Sequence, residues 1–175
     1  MQKTYSITVK NIFHAINEVI IYCVIFIIAI VALYKYLYED DPEAFFLVSF
    51  LVLVSNIGII ILPVFILYLN YKKYNKKTIL VLEKEKFLVN NTDILLKEIK
   101  KIKIYATHQH FSGNNGATSL PYNDYFYYIE VALYSGEKLY FTSLLGYNLD
   151  KDIQEMYQHI HIESIIKSYP IIRKV

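Results

Sequence analysis

Two uncharged apolar runs decide most of what this chain can fold into. The first covers residues 19–34, 16 residues, which as a helix extends about 24 Å against a hydrocarbon layer of roughly 30 Å. Extended to 16–37 it reaches about 33 Å, with Glu18 and Lys35 near opposite ends, where long side chains stretch toward headgroups. The second, residues 44–71, holds 28 residues without a formal charge, enough to cross a bilayer with tilt. Between the runs, Glu39, Asp40, Asp41, Pro42 and Glu43 leave room only for a tight hairpin, with Asp41 and Pro42 suited to the N-cap and first turn of a helix. A cleaved signal peptide is the competing reading of the first run, because Lys3 and Lys10 precede it. That run starts late, however, and Ala29 and Ala32 have the wrong spacing for a cleavage site.

The chain is 55% hydrophobic and only 19% charged, with a mean hydropathy of +0.30, which excludes disorder and a simple soluble protein. It divides into a segment 1–14, a transmembrane hairpin 15–71 with helices at about 16–37 and 44–70, and a soluble domain 78–175. Lys3 and Lys10 precede the hairpin and Lys72, Lys73, Lys76 and Lys77 follow it, whereas its turn carries Lys35 against four acids. This bias places both termini in the cytoplasm. Tyr34, Tyr36 and Tyr38 at one end and Tyr68, Tyr71 and Tyr74 at the other read as aromatic belts. Cys23, the one cysteine, reads as packing filler and allows no intramolecular disulfide. Within the second run, Ser49, Ser55, Asn56 and Gly58 are candidates for helix association. The Asn56 amide needs a partner, either on the first helix or on a second copy. Pro63 predicts a kink.

From Thr78 the period changes. A β-branched run at 78–82, short apolar runs at 87–89 and 94–96 joined through Asn90, Asn91, Thr92 and Asp93, and an alternating Lys101, Ile102, Lys103, Ile104 read as strands. Residues 112–121 form a long polar loop, read as a connector or a partner contact. Two further strands at 125–134 and 138–142 flank Ser135, Gly136 and Glu137, a hairpin turn. Six or seven strands result. A final helix starts near Asn148, with Leu149, Ile153, Met156, Tyr157 and Ile160 in one stripe. Beyond His159 the stripe changes phase, to Ile162, Ile165, Ile166 and Tyr169, and a break or bend is expected before Pro170.

Short strands closed by one amphipathic helix follow the order of a pleckstrin-homology (PH) barrel. With two membrane helices, a basic exit, Ile99-Lys100-Lys101-Ile102, Tyr127-Tyr128-Ile129-Glu130-Val131 and Gly136-Glu137-Lys138-Leu139-Tyr140-Phe141-Thr142, the chain resembles bacterial PH-like membrane proteins, including the YcxB-like group. The fold class expected is membrane α + β: a two-helix transmembrane hairpin followed by a small PH-like β-barrel or sandwich with a C-terminal helix. The resemblance implies a multi-pass protein of the bacterial inner membrane, whose cytoplasmic domain binds, scaffolds or regulates and carries no catalytic site. The Pro-Lys-type motif seen late in YcxB-like proteins is missing here. Two membrane helices before a small barrel also resemble the ligand-gated two-transmembrane β-barrel effectors of cyclic-oligonucleotide anti-phage defence, and a toxin-immunity membrane protein is a third reading.

No nucleophile elbow, His-Glu-x-x-His or phosphate-loop spacing is present, so no catalytic residue, cofactor or metal is expected. His108 and His110 on a strand would share a face, whereas His159 and His161 at a helix end diverge. Residues 78–175 carry 11 Lys plus Arg and 11 Asp plus Glu, a balance that argues against nucleic acid. Lys97, Lys100, Lys101 and Lys103, together with Lys72, Lys73, Lys76 and Lys77, are membrane-surface candidates for anionic headgroups. The partners expected are the lipid bilayer and either another protein or a second copy bound through the helices.

Overall fold

The computed structural model describes residues 2–38, 41–112 and 122–173, with the side chains of Tyr36 and Leu37 outside that set. The expectations for Glu39, Asp40 and the loop 113–121 therefore lie outside the described residues.

The apolar runs form two long helical rods. Helix α1 spans Val9–Leu37, capped by Thr8, whose hydroxyl accepts from the Asn11 N–H. Helix α2, Pro42–Asn56, starts with Pro42 at its first position and the Asp41 carboxylate accepting from the Ala44 N–H at 3.0 Å. It continues through a π-helical turn, Ile57–Ile61, into α3, Leu62–Asn75. The widened turn lies directly before Pro63, which has no N–H to give and whose ring crowds the preceding turn. Both rods, Val9–Lys35 and Pro42–Asn75, are long and apolar enough to cross a membrane by length and composition. They begin earlier and end later than their apolar runs because polar residues at the ends cap and extend each helix.

Among the described residues, eight strands make two sheets. The first has the order β1 (Lys3–Ser6), β2 (Ile79–Leu82), β3 (Lys86–Val89), β4 (Thr92–Leu95), all antiparallel. The second has the order β7 (Lys138–Thr142), β6 (Tyr128–Leu133), β5 (Ile99–Ala106), β8 (Ile162–Ile166), with β8 parallel to β5. Asn90 and Asn91 take positive φ, 51° and 68°, the conformation that a two-residue hairpin turn requires between β3 and β4. In β5, Ile99 and Ile102 both face inward although three positions apart. A register shift between Ile99 and Lys101 absorbs Lys100 as a bulge and restores alternation for Ile102, Ile104 and Ala106.

Between the sheets lies one core, with Leu80, Leu82, Phe87, Ile102, Ile104, Ile129 and Phe141 among its members. Helix α5, Leu149–Met156, adds Leu149 and Ile153, and Tyr157 follows at the same spacing, all three fully buried. Asn148 precedes α5 without a side-chain capping bond.

The architecture agrees with helices plus a PH-like β domain, with two corrections. Among the described residues the strands form two sheets, so of the two alternatives expected, barrel or sandwich, the closed barrel is set aside. The chain also does not end on its helix: residues 162–166 continue as β8, paired in parallel with β5, which half-buries Ile162 and Ile165 and leaves Ile166 exposed. The N-terminal segment contributes β1 to the first sheet. Its Tyr5 ring leaves no room for a side chain at Gly146, where an added Cβ would lie 2.7 Å from the ring.

Candidate functional site

A second core joins the rods to the β domain. Ala15 of α1 and Val64, Leu67 and Tyr71 of α3 are buried together with Tyr125, Phe126, Tyr128, Leu144 and Ile172. Tyr71 does not stand in an aromatic belt: it is fully buried, its ring edge-on to Phe126 at 5.5 Å, and its hydroxyl donates to the Pro170 carbonyl at 2.7 Å. The tail runs back along α3. Asn70 both donates to and accepts from the Ile172 backbone, at 3.1 and 3.0 Å, and Tyr169 donates to the Pro63 carbonyl at 2.7 Å. On α1, the Asn11 amide donates to the Ser6, Leu144 and Leu145 carbonyls. At the far end of the rods, Tyr34 and Tyr38 pack on Phe45.

Asn11, His14 and Glu18 lie three and four residues apart, a polar stripe on one face of α1. That face meets the β domain. His14 is edge-on to Tyr125 and to Tyr147, at 5.6 and 5.1 Å. Beside it a cavity of about 330 Å³ opens between α1, α5 and the short helix α4, His108–Ser112; its walls include His14, Glu18, His110, Asp124, Tyr125 and Lys151. Glu18, expected to reach toward headgroups, lines this space. Neither Glu18 nor Lys151 forms an ion pair among the described residues. The cavity thus holds an acid and a base that do not neutralise each other. Burial raises the Tyr125 hydroxyl above the usual tyrosine range, and the nearby Tyr147 adds to the effect.

Behind the cavity wall lies a buried polar lock. The His110 ring places Nε2 2.8 Å from the Asp150 carboxylate and Nδ1 3.2 Å from the Asp124 carbonyl. Thr107 accepts from the His110 N–H and donates to the Asp124 carboxylate at 2.7 Å. Tyr127 accepts from the Asp150 N–H at 3.2 Å; burial lifts its hydroxyl well above the ordinary range, and the Asp150 charge reinforces the shift. His110 and Asp150 side chains are 8% and 4% exposed, so this pair is shielded from water and fixes β5, α4 and α5 to one another. His108 and His110 were expected on a strand. They lie on α4 instead, because Thr107 caps a helical turn there, and i and i+2 on a helix diverge. His159 and His161 line a separate shallow cleft beside Lys97 and Lys100.

The remaining sequence candidates fall as follows. The Asn56 amide accepts from Tyr22 of α1 and donates to the Val52 carbonyl at 2.7 Å, so its bonds close within the chain. Ser55 is exposed, Gly58 faces open space, and the Ser49 hydroxyl is buried without a partner. Lys72 bonds the Tyr68 hydroxyl at 3.2 Å and lies over its ring. Lys73, Lys76 and Lys77 are exposed, and Lys76 and Lys77 lie at least seven residues, about 10 Å, beyond Leu69, an exposed apolar residue of α3. Lys100, Lys101 and Lys103 share β5, but the register puts Glu130 and Glu163 on either side of Lys103, and Glu163 pairs with it at 3.6 Å. A basic cluster along the sequence is thus an interleaved surface in space.

The sequence model of a family described as PH domain matches residues 4–152, from β1 across both rods into α5. No curated protein matches the chain, and no solved structure does.

Proposed function

We propose a binding or regulatory role, without catalysis, on the ground that this chain belongs to the PH domain family. In this reading the rods hold the module in the bacterial inner membrane as a two-pass hairpin, and the β domain presents a surface to a protein partner in the cytoplasm. Both ends of the hairpin enter the first sheet, since β1 precedes α1 and β2 follows α3. They are therefore on the same side, and the lysines flanking the hairpin favour the cytoplasmic one. The observation that carries the proposal is the second core. A flexible anchor would share no buried side chains with its cargo, whereas here Ala15, Val64, Leu67 and Tyr71 belong to the domain. The module is held at a fixed orientation to the bilayer, which suits recruitment or regulation of another membrane complex.

The test is affinity purification of the tagged full-length chain in mild detergent, with native mass and protein identification. A stoichiometric second protein, with the chain resisting alkaline extraction from membranes, is expected. Extraction into the soluble fraction, or a monodisperse chain with no companion at native expression, refutes it. A second reading, a ligand-gated effector that assembles through its helices, draws on the cavity between α1 and the β domain, where an occupant would touch both parts. A homo-oligomer that forms only on addition of a cyclic oligonucleotide would favour it.

A further inference from the structure

We propose that the cavity beside α1 is a binding site for a zwitterion with a primary ammonium and a phosphate, the chemistry of a phosphoethanolamine headgroup. The inference rests on the membrane placement given above and adds a ligand to it. Counting back about 20 residues from Tyr34, the length needed to cross a hydrocarbon layer of roughly 30 Å, reaches residue 15. Glu18 and the mouth of the cavity therefore stand at the level where headgroups meet the acyl region. An ionisable side chain at that depth is costly unless something pairs with it. Lys151, on α5, lines the same cavity, yet neither charge has an ion-pair partner among the described residues.

A ligand carrying both charges completes both. The ammonium donates to Glu18, and the phosphate accepts from Lys151 and the His14 ring, all of which line the cavity. The Tyr125 and Tyr147 rings, stacked on each other at 5.5 Å, line the same cavity. About 330 Å³ is at the small end of ligand sites, sized for a headgroup rather than a whole lipid. A quaternary choline carries the same charges but has no N–H to give to Glu18, and a glycerol headgroup has no cation at all. The geometry therefore selects among lipids by hydrogen bonding as well as by charge.

The test is native mass spectrometry of the full-length chain released from nanodiscs with equal amounts of phosphatidylethanolamine, phosphatidylcholine and phosphatidylglycerol. We expect phosphatidylethanolamine to be retained at least tenfold over phosphatidylcholine. Glu18→Gln should bring that ratio to near one, and Glu18→Asp should restore most of it. Lys151→Gln should lower retention of both zwitterions together and leave their ratio in place, because the phosphate is common to both. Equal retention in the wild type, preference for phosphatidylglycerol, or an unchanged ratio in Glu18→Gln overturns the proposal. Free phosphoethanolamine at millimolar concentration separates the sources: displacement of the lipid supports a soluble ligand of the same chemistry, and no displacement supports the lipid itself. Insertion into the discs without headgroup preference leaves the membrane reading standing and removes only this site. Failure to insert removes both.

Discussion

Tyr71 tests whether the rods and the β domain are one folded unit. It is fully buried, touches Phe126 and Tyr128, and donates to the Pro170 carbonyl. Tyr71→Phe keeps the ring and leaves that carbonyl without its donor, at a cost of about 1–2 kcal/mol. That raises the population of the opened state roughly 5- to 30-fold. Tyr71→Ala also removes the ring from a packed site, which costs about 3–5 kcal/mol for an aromatic side chain, so about 4–7 kcal/mol in total. This is a large share of the roughly 5–15 kcal/mol that hold an ordinary domain. The assay is pulse proteolysis of the full-length chain in detergent micelles across a urea series, read from cleavage between residues 78 and 173. Both variants should shift the midpoint, Tyr71→Ala far more. If the rods were only a tether, neither would move cleavage of the β domain, and a midpoint unchanged in Tyr71→Ala would refute the shared core.

His110→Ala leaves the Asp150 carboxylate buried without its partner and should cost about 3–5 kcal/mol by the same proteolysis; a loss below about 1 kcal/mol would show that the pair is dispensable. Asn56→Leu removes the bond from Tyr22 and should cost about 0.6–1.7 kcal/mol without changing native mass, whereas a change of oligomeric state would assign that amide to assembly instead. Lys167 lies over the Tyr105 ring, and burial, with Arg173 adding to it, holds its ammonium below the usual lysine range. In the window below 10.5 the unfolded chain then binds more protons at this site than the folded one, so stability rises with pH. Wild type should gain on Lys167→Met in melting temperature between pH 8 and 10, and a constant difference would contradict the assignment. The opposite sign holds for Tyr5, Tyr125 and Tyr127, raised chiefly by burial: the unfolded chain loses those protons first, and stability falls above pH 10. Absorbance near 295 nm should show these phenols ionising only as the chain unfolds.

The rods and β2 to β7 were legible because each carries a local signal: an uncharged run, strict alternation, or turn residues such as Asn90 and Asn91. β1 and β8 were not. Lys3, Thr4, Tyr5 and Ser6 show no apolar alternation, since their strand is defined by pairing with β2 far along the chain. Ile162, Ile165 and Ile166 satisfy a helical stripe equally well, and only the neighbour β5 decides against it. At the site, the polar stripe of Asn11, His14 and Glu18 was readable as a face turned away from lipid, and Thr107 three residues before His110 was readable as a cap. What no local pattern carries is that residues 122–125, α4 and α5 converge on that stripe. The same limit applies to Lys103, whose flanking glutamates, Glu130 and Glu163, come from other strands.

Because Lys3 pairs with Leu82, β1 waits for its partner until both long helical rods have been synthesised. The first sheet is thus a late product of biogenesis rather than an early one. A version of the protein stripped of its rods would lose β1 along with them or leave it on a severed piece, and the edge of β2 would be bare. The rods are, in that sense, participants in folding: they share buried side chains beside the sheet and bring the chain back to where β1 can meet β2.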